Sequence, residues 1–294
     1  MLTCGHAHSN RIKGEITMKT IKKKMGNKKP LMLREFSGLR DMTAWIESTP
    51  ADDGWDNHAS DDYPFKPKWC GAKSYSDAKT SLLKGANVAQ IKKAISRGAG
   101  VAEKTKRTMG IIGGCPNVPA YLAGNPACMY RNERVKNHGA YNVFVDVGVH
   151  CGISKTQVTD AGIEILIRVL RLANKYPVNL YVGDFGQYDS KVYGHAVKII
   201  DAGRAYNTAR VSYALTETGF LRVFGLAIIE RNGQFWNSGA SWGYGKPLSK
   251  YERKDAVETV FKNAISLSTL EVIEYGSSAF ESIDKILDNK RTRK

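Results

Sequence analysis

From Tyr141 to Lys175 the chain reads YNVFVDVGVHCGISKTQVTDAGIEILIRVLRLANK. Two hydrophobic periods meet in this stretch, and together they leave few folds open. Tyr141 to Val147 is apolar and rich in β-branched and aromatic residues, the composition of a buried strand. A loop with two glycines follows, from Gly148 to Ile153. Ser154 to Gln157 then spells S-x-x-Q, a capping box that satisfies free backbone N–H groups at a helix start. Val158, Ala161, Ile165, Val169 and Leu172 recur at helical spacing. Leu166, Leu170 and Ala173 widen the stripe, so the helix is expected to be buried over a broad face. Lys175 and Pro177 end it. Val178 to Val182 is a second apolar run. Strand, loop, helix, strand is a βαβ unit, which builds a parallel sheet through a right-handed crossover. The expected fold class is therefore α/β: a mostly parallel, Rossmann-like sheet flanked by helices, over residues 139–294.

Within that region, His195 to Ile200 is expected as a third strand, after a polar loop GDFGQYDSKVYG. Arg204 to Phe224 reads as mostly helix, Gly225 to Glu230 fits strand or helix, and Leu270 to Glu274 reads as a last strand. Ser249 to Glu252 and Ser278 to Glu281 have the S-x-x-E pattern that starts two more helices. Arg231 to Lys246 is glycine-rich and expected as a long loop. Upstream, residues 31–138 are expected to be a smaller, mainly helical basic region. In it Ser76 would cap a helix that stops at Gly85, and a Gly/Pro-rich connection runs from Thr108 to Met129. Residues 1–30 are expected to be a disordered basic tail, because Arg11, Lys13, Lys19, Lys22, Lys23, Lys24, Lys28 and Lys29 oppose only Glu15. Met18 is an alternative start. CGHAH at 4–8 has too few ligands for a metal site.

The formal net charge is +16, which draws such a chain to polyanions, nucleic acid first. Lys84, Lys92, Lys93, Arg97, Lys104, Lys106 and Arg107 are the candidate nucleic-acid-binding residues, and an acidic protein is the alternative partner. Tyr206, Tyr213, Trp236, Trp242 and Tyr244 are candidates for stacking on bases, with packing as the plainer reading. No run of about 18 apolar residues is present, so no membrane partner is expected. The N-terminus lacks an apolar segment, so no secretory signal is expected. The five cysteines are scattered and odd in number, which suits free thiols in a reducing compartment.

In open α/β sheets, sites form beyond the carboxyl ends of strands. Asp146 and His150 lie at the first such end and Asp184 at the second. Asp146, Asp184 and Asp189 are thus the candidate metal-site carboxylates, with Mg²⁺ as the candidate ion; a nuclease would use them for phosphodiester hydrolysis. The spacing Asp146-x-Gly148-x-His150 argues against tight Mg²⁺ binding, since glycine offers no ligand and imidazole suits Mg²⁺ poorly. Clustered aspartates at 52–62 lack calcium-loop spacing and read as a solvated loop. G-x-S-x-G, H-E-x-x-H, C-x-x-C and the P-loop pattern are all absent, so no catalytic residue and no cofactor are assigned.

Four segments carry a resemblance: GGCPNVPAYLAGNPACM, VFVDVGVHCGIS with the helix after it, VNLYVGDFG and TETGFLRVFGLAIIE. In these the chain resembles an uncharacterised family of bacteriophage proteins with a von Willebrand factor A-like fold. The resemblance implies a phage-encoded protein working in the host cytoplasm. That fold commonly carries D-x-S-x-S where this chain has Asp146-x-Gly148-x-His150. The expected function is a non-enzymatic binding or assembly protein, beside nucleic acid. A metal-dependent nuclease and a structural virion component are the alternatives.

Overall fold

The computed structural model describes residues 16–26, 28–53, 55–85, 88–94, 96, 107–111, 115–132, 139–188, 190–232 and 246–288. Its centre is the expected unit: β6 (Tyr141–Asp146), α6 (Lys155–Lys175) and β7 (Val178–Tyr188). β6 and β7 pair in parallel, from Tyr141 opposite Val178 to Asp146 opposite Gly183. Ser154 and Gln157 form the full capping box.

The polar stretch after Val182 is strand rather than loop. β7 runs on to Tyr188 and turns through two residues into β8 (Lys191–Ile200), to which it is antiparallel. A two-residue connection can join only antiparallel strands, whereas a parallel pair needs a crossover of a dozen residues or more. The sheet is therefore mixed, not mostly parallel. Its order is β1-β2-β8-β7-β6-β10, with β9 (Lys246–Pro247) on the far part of β7. β2/β8, β6/β7 and β6/β10 are parallel; β1/β2, β7/β8 and β7/β9 are antiparallel.

β1 (Met18–Lys24) and β2 (Pro30–Phe36) correct two expectations at once. Residues 18–24 are an edge strand, not a disordered tail, and the boundary expected at 139 does not divide the sheet. Ile21 packs on the core while Lys19, Lys22 and Lys24 face water. Lysines on an edge strand keep it solvated and discourage pairing with other chains, so their composition imitates disorder. β10 (Ile265–Ser268) is the opposite edge. Leu270–Glu274, expected as a strand, lies in helix α10 (Thr269–Tyr275), because Ser268 accepts the Glu271 N–H as its cap.

Alternating residues send two apolar layers to opposite faces of the sheet. Leu31, Leu33, Phe144, Tyr181, Phe185 and Ala196 meet Ala256, Val257 and Phe261, from α9 (Lys250–Val260) and the residue after it. The other face, with Phe36, Val143, Val145, Leu180, Val182 and Val197, carries the main helical layer. That layer is built from α1 (Leu39–Ser48), α3 (Tyr75–Lys84), α4 (Val88–Ala94), α6, α7 (Thr208–Thr216), a π-helical turn (Phe220–Gly225), α10 and α11 (Glu281–Asp288). Short α2 (Pro67–Cys70) and α8 (Leu226–Ile229) complete it, and a 3₁₀ turn (Gly276–Phe280) joins α10 to α11. Gly225–Ile229 is thus helical. Ser74, not Ser76, caps α3; Ser76 instead donates to Asp61. Gly162 lets α6 and α7 touch: a Cβ there would lie 2.1 Å from the Leu215 carbonyl oxygen.

Buried Glu230 and Arg231 pin the 46–58 segment to the end of α8. Glu230 accepts from the His58 N–H at 2.9 Å and contacts its ring, while Arg231 donates to Ile46, Thr49, Ala227 and Asn57. Apart from the main sheet, β3 (Arg107–Gly110), β5 (Met129–Asn132) and β4 (Cys115–Pro116) form a small antiparallel sheet with α5 (Val118–Leu122). The stretch expected as an irregular connection is this arm. No helix among the described residues is long and apolar enough to cross a membrane.

Candidate functional site

β6 stops at Asp146, but β7 continues, and β9 takes the place beside β7 only at Gly186 and Gln187. Asp184 and Phe185 therefore have no strand beside them on that side among the described residues. A cleft of about 350 Å³ opens at this gap. The loop Gly148–Cys151, Tyr193 of β8, Lys246 and Pro247, and Leu221, Arg222, Leu226 and Ile229 of the helical layer surround it, with Trp69 at the rim. This is the strand-end location that the βαβ unit predicts for a site.

Asp146, the last residue of β6, points toward α9 and is 2% exposed. Its Oδ2 lies 2.9 Å from Arg253 Nε, and Oδ1 accepts the Gly148 N–H at 2.7 Å. Arg253 is equally buried and donates onward to Glu271 Oε1 at 2.8 Å and the Leu248 carbonyl at 3.1 Å. Burial pushes the Asp146 carboxyl up to about 7, with nearby Asp184 adding to the rise and Arg253 opposing it. Gly148 has a definite role here. A Cβ at this position would sit 2.8 Å from Asp146 Oδ1, so glycine leaves the carboxylate room to fold back on its own loop.

Asp184 points to the opposite face. It stands across from His195 in the β7/β8 register, with Oδ1 and His195 Nδ1 2.6 Å apart. The pair is close enough for an ion contact but is not aligned as a hydrogen bond, and His195 Nε2 has no hydrogen-bond partner among the described residues. Tyr193, two residues earlier on the same face, is buried, and its phenol is raised well above the usual value by burial, then by Asp184 and Asp146. Arg222 closes the far wall. Its guanidinium stacks on Trp69 at 4.6 Å and donates to the Trp69 and Ile153 carbonyls at 2.9 and 2.6 Å, and burial lowers its pKa. Trp69 in turn donates to the Cys151 carbonyl at 3.1 Å, which fixes the loop after β6.

Of the three candidate carboxylates, the fold brings Asp146 and Asp184 together at one strand end; Asp189 lies outside the described residues. Among those residues no group of three or more His, Cys, Asp and Glu is placed to hold a metal ion. The candidate basic residues occupy several elements. Lys84 on α3 and Lys92 and Lys93 on α4 are exposed, and Lys93 pairs with Asp160 at 2.9 Å. Arg107 opens β3, while Arg97, Lys104 and Lys106 lie outside the described residues, as do Trp236, Trp242 and Tyr244. Tyr213 is buried in the core and Tyr206 packs against it, which fits packing rather than stacking on bases. The CGHAH tract also lies outside the described residues. Trp69, Tyr193, Arg222 and Arg253 were not singled out from sequence. The only trace of Arg253 there is its place in the helix capped by Ser249.

A larger, shallower groove of about 620 Å³ follows α6 and α10. Its charged residues are engaged with neighbours: Asp160 with Lys93, and Glu164 with Arg168, which also holds Asp284.

The chain matches DUF7192, a domain of unknown function, over residues 17–290. It belongs to that family. The match begins one residue before β1 and ends just past α11, so the family unit includes the basic edge hairpin as well as the βαβ centre. No curated protein and no solved structure matches it.

Proposed function

We propose that this DUF7192 protein is a non-enzymatic binding protein of the assembly type, with the strand-end cleft as its recognition site and nucleic acid as a companion of its basic surface. One observation carries the reading: the two candidate carboxylates do not converge, because Asp146 at the end of β6 turns onto internal partners and Asp184 within β7 points to the opposite face of the sheet. Asp146 is held by Arg253 and the Gly148 N–H, while Asp184 Oδ1 stands within ion-contact distance of His195 Nδ1 without an aligned hydrogen bond. A hydrolytic metal site needs carboxylates that converge on an ion with lone pairs to give. What faces the cleft is mainly apolar and aromatic wall with few polar groups, which is how binding pockets are usually lined. The resemblance to phage proteins with a von Willebrand factor A-like fold belongs to the same reading. On this reading the protein works in a host cell.

The nuclease reading has its own support, because Asp184 lies close enough to Asp146 to add to the rise of its carboxyl. The full chain, incubated with single- and double-stranded DNA and RNA in Mg²⁺ or Mn²⁺, separates the two. Retention on an immobilised strand without cleavage is expected. Cleavage that disappears in both Asp146→Asn and Asp184→Asn would overturn the binding reading. A virion component would instead cosediment with particles.

A further inference from the structure

The described residues of the arm, 107–111 and 115–132, form strands and a short helix but no core of their own. The strands hold a continuous register, with Arg107 opposite Asn132 and Cys115 opposite Tyr130, and Asn117 caps α5 by accepting the Ala120 N–H. Yet α5, with the sequence VPAYL, has no buried residue. None of the arm's described residues joins any of the three apolar clusters. Met109, Ile111, Val118, Tyr121 and Leu122 are all exposed here, Ile111 at 77% and Leu122 at 78%. Short strands of this kind need an apolar face packed against something, and contiguous exposed apolar surface marks an interaction site.

Charge indicates what covers it. From Thr108 to Tyr130 there is no Asp, Glu, Lys or Arg, in a chain of net charge +16. We propose that the arm is a self-association surface, packing against the same arm of a second copy about a two-fold axis. Two such chains repel over most of their surfaces. The part of the arm from Thr108 to Tyr130 is where they can meet without opposing like charges, with Arg107 and Arg131 set together at one end of the β3/β5 pair. A two-fold contact asks only that one patch be complementary to itself, and apolar surface against apolar surface meets that condition. An acidic partner would be drawn instead to exposed lysines such as Lys19, Lys22 and Lys24.

Sedimentation equilibrium on the full chain, treated with nuclease to remove bridging nucleic acid, tests the proposal. The wild type is expected to dimerise. The double variant Ile111→Ser, Leu122→Ser is expected to associate about tenfold or more weakly. Its circular dichroism should be unchanged, since neither side chain touches the core. Leu122→Lys should also dissociate the dimer, and added salt should partly restore it by screening the new repulsion. A wild type that stays monomeric at tens of micromolar, or a dimer indifferent to all three substitutions, would overturn the proposal. So would a monomer that uses the arm to bind lipid vesicles or a different protein.

Discussion

Asp146 shows how one residue can read as a site and act as a structural joint. At the end of a buried strand before a glycine loop, an aspartate is a reasonable metal ligand. The tertiary structure supplies Arg253 from α9, more than a hundred residues later, and turns the carboxylate inward. Its titration gives a test. The folded-state value, about 7, lies above the ordinary 3.8, so the native state holds the proton more tightly than the unfolded chain. That contribution to stability is full below about pH 4 and is lost as the pH rises through about 7. Asp146→Asn should flatten this fall, measured as urea midpoints across that range; an unchanged pH slope would mean the carboxyl titrates normally. Arg253→Met leaves the carboxylate buried beside Asp184 without its cation. Without Arg253 the carboxyl rises further, so the expected loss, on the order of 3–5 kcal/mol for a broken buried pair, is full only at pH well above 7 and should shrink towards acid, where Asp146 is neutral.

At the scale of elements, the sheet depends on close backbone approaches that helix and strand propensities do not describe. Gly162 is the clearest case. Propensity alone favours alanine inside a helix by roughly 1 kcal/mol. Here the added methyl would meet the Leu215 carbonyl oxygen where α6 crosses α7. Gly162→Ala should therefore destabilise the protein, by about 1–3 kcal/mol for an overpacked contact; a higher Tm would show that the two helices can separate without cost. β1 and α10 carry the related lesson for strand assignment. Lysine content hid a strand whose pairing comes from β2. The apolar run at Leu270 reads as a strand, but in the structure Ser268 accepts the Glu271 N–H and starts a helix there.

For the whole molecule, charge is the property that tertiary structure redistributes most. The basic residues lie on several elements, and the stretch from Thr108 to Tyr130 carries none of them. Exposed Lys19, Lys22 and Lys24 on β1 add to Lys84 and Lys92 as candidate phosphate contacts. If about four of these engage duplex DNA, log affinity should fall with log salt at a slope of about −3 to −4. Anisotropy titrations across salt would measure it, and little dependence on base sequence is expected, because phosphate contacts carry no sequence information. Replacing Lys19, Lys22 and Lys24 by alanine should reduce the slope by up to about 3 if all three contact phosphate. A slope unchanged by that substitution would assign the binding to other basic segments.

By itself the sequence determined the βαβ centre and its capping box, the ends of α6, and the strand end at Asp146; Asp184, expected at a second strand end, lies inside β7, which runs on to Tyr188. These are local matters: a helix stripe, a cap and a β-branched run are written over a few consecutive residues. Only the tertiary structure decided the antiparallel return of β8, the recruitment of β1 and β2 to the far side of the sheet, and the partners of the buried carboxylates. Each of these depends on contacts between residues far apart in the chain. Arg253 reaches Asp146, and Trp69 meets Arg222, across separations that no local period records.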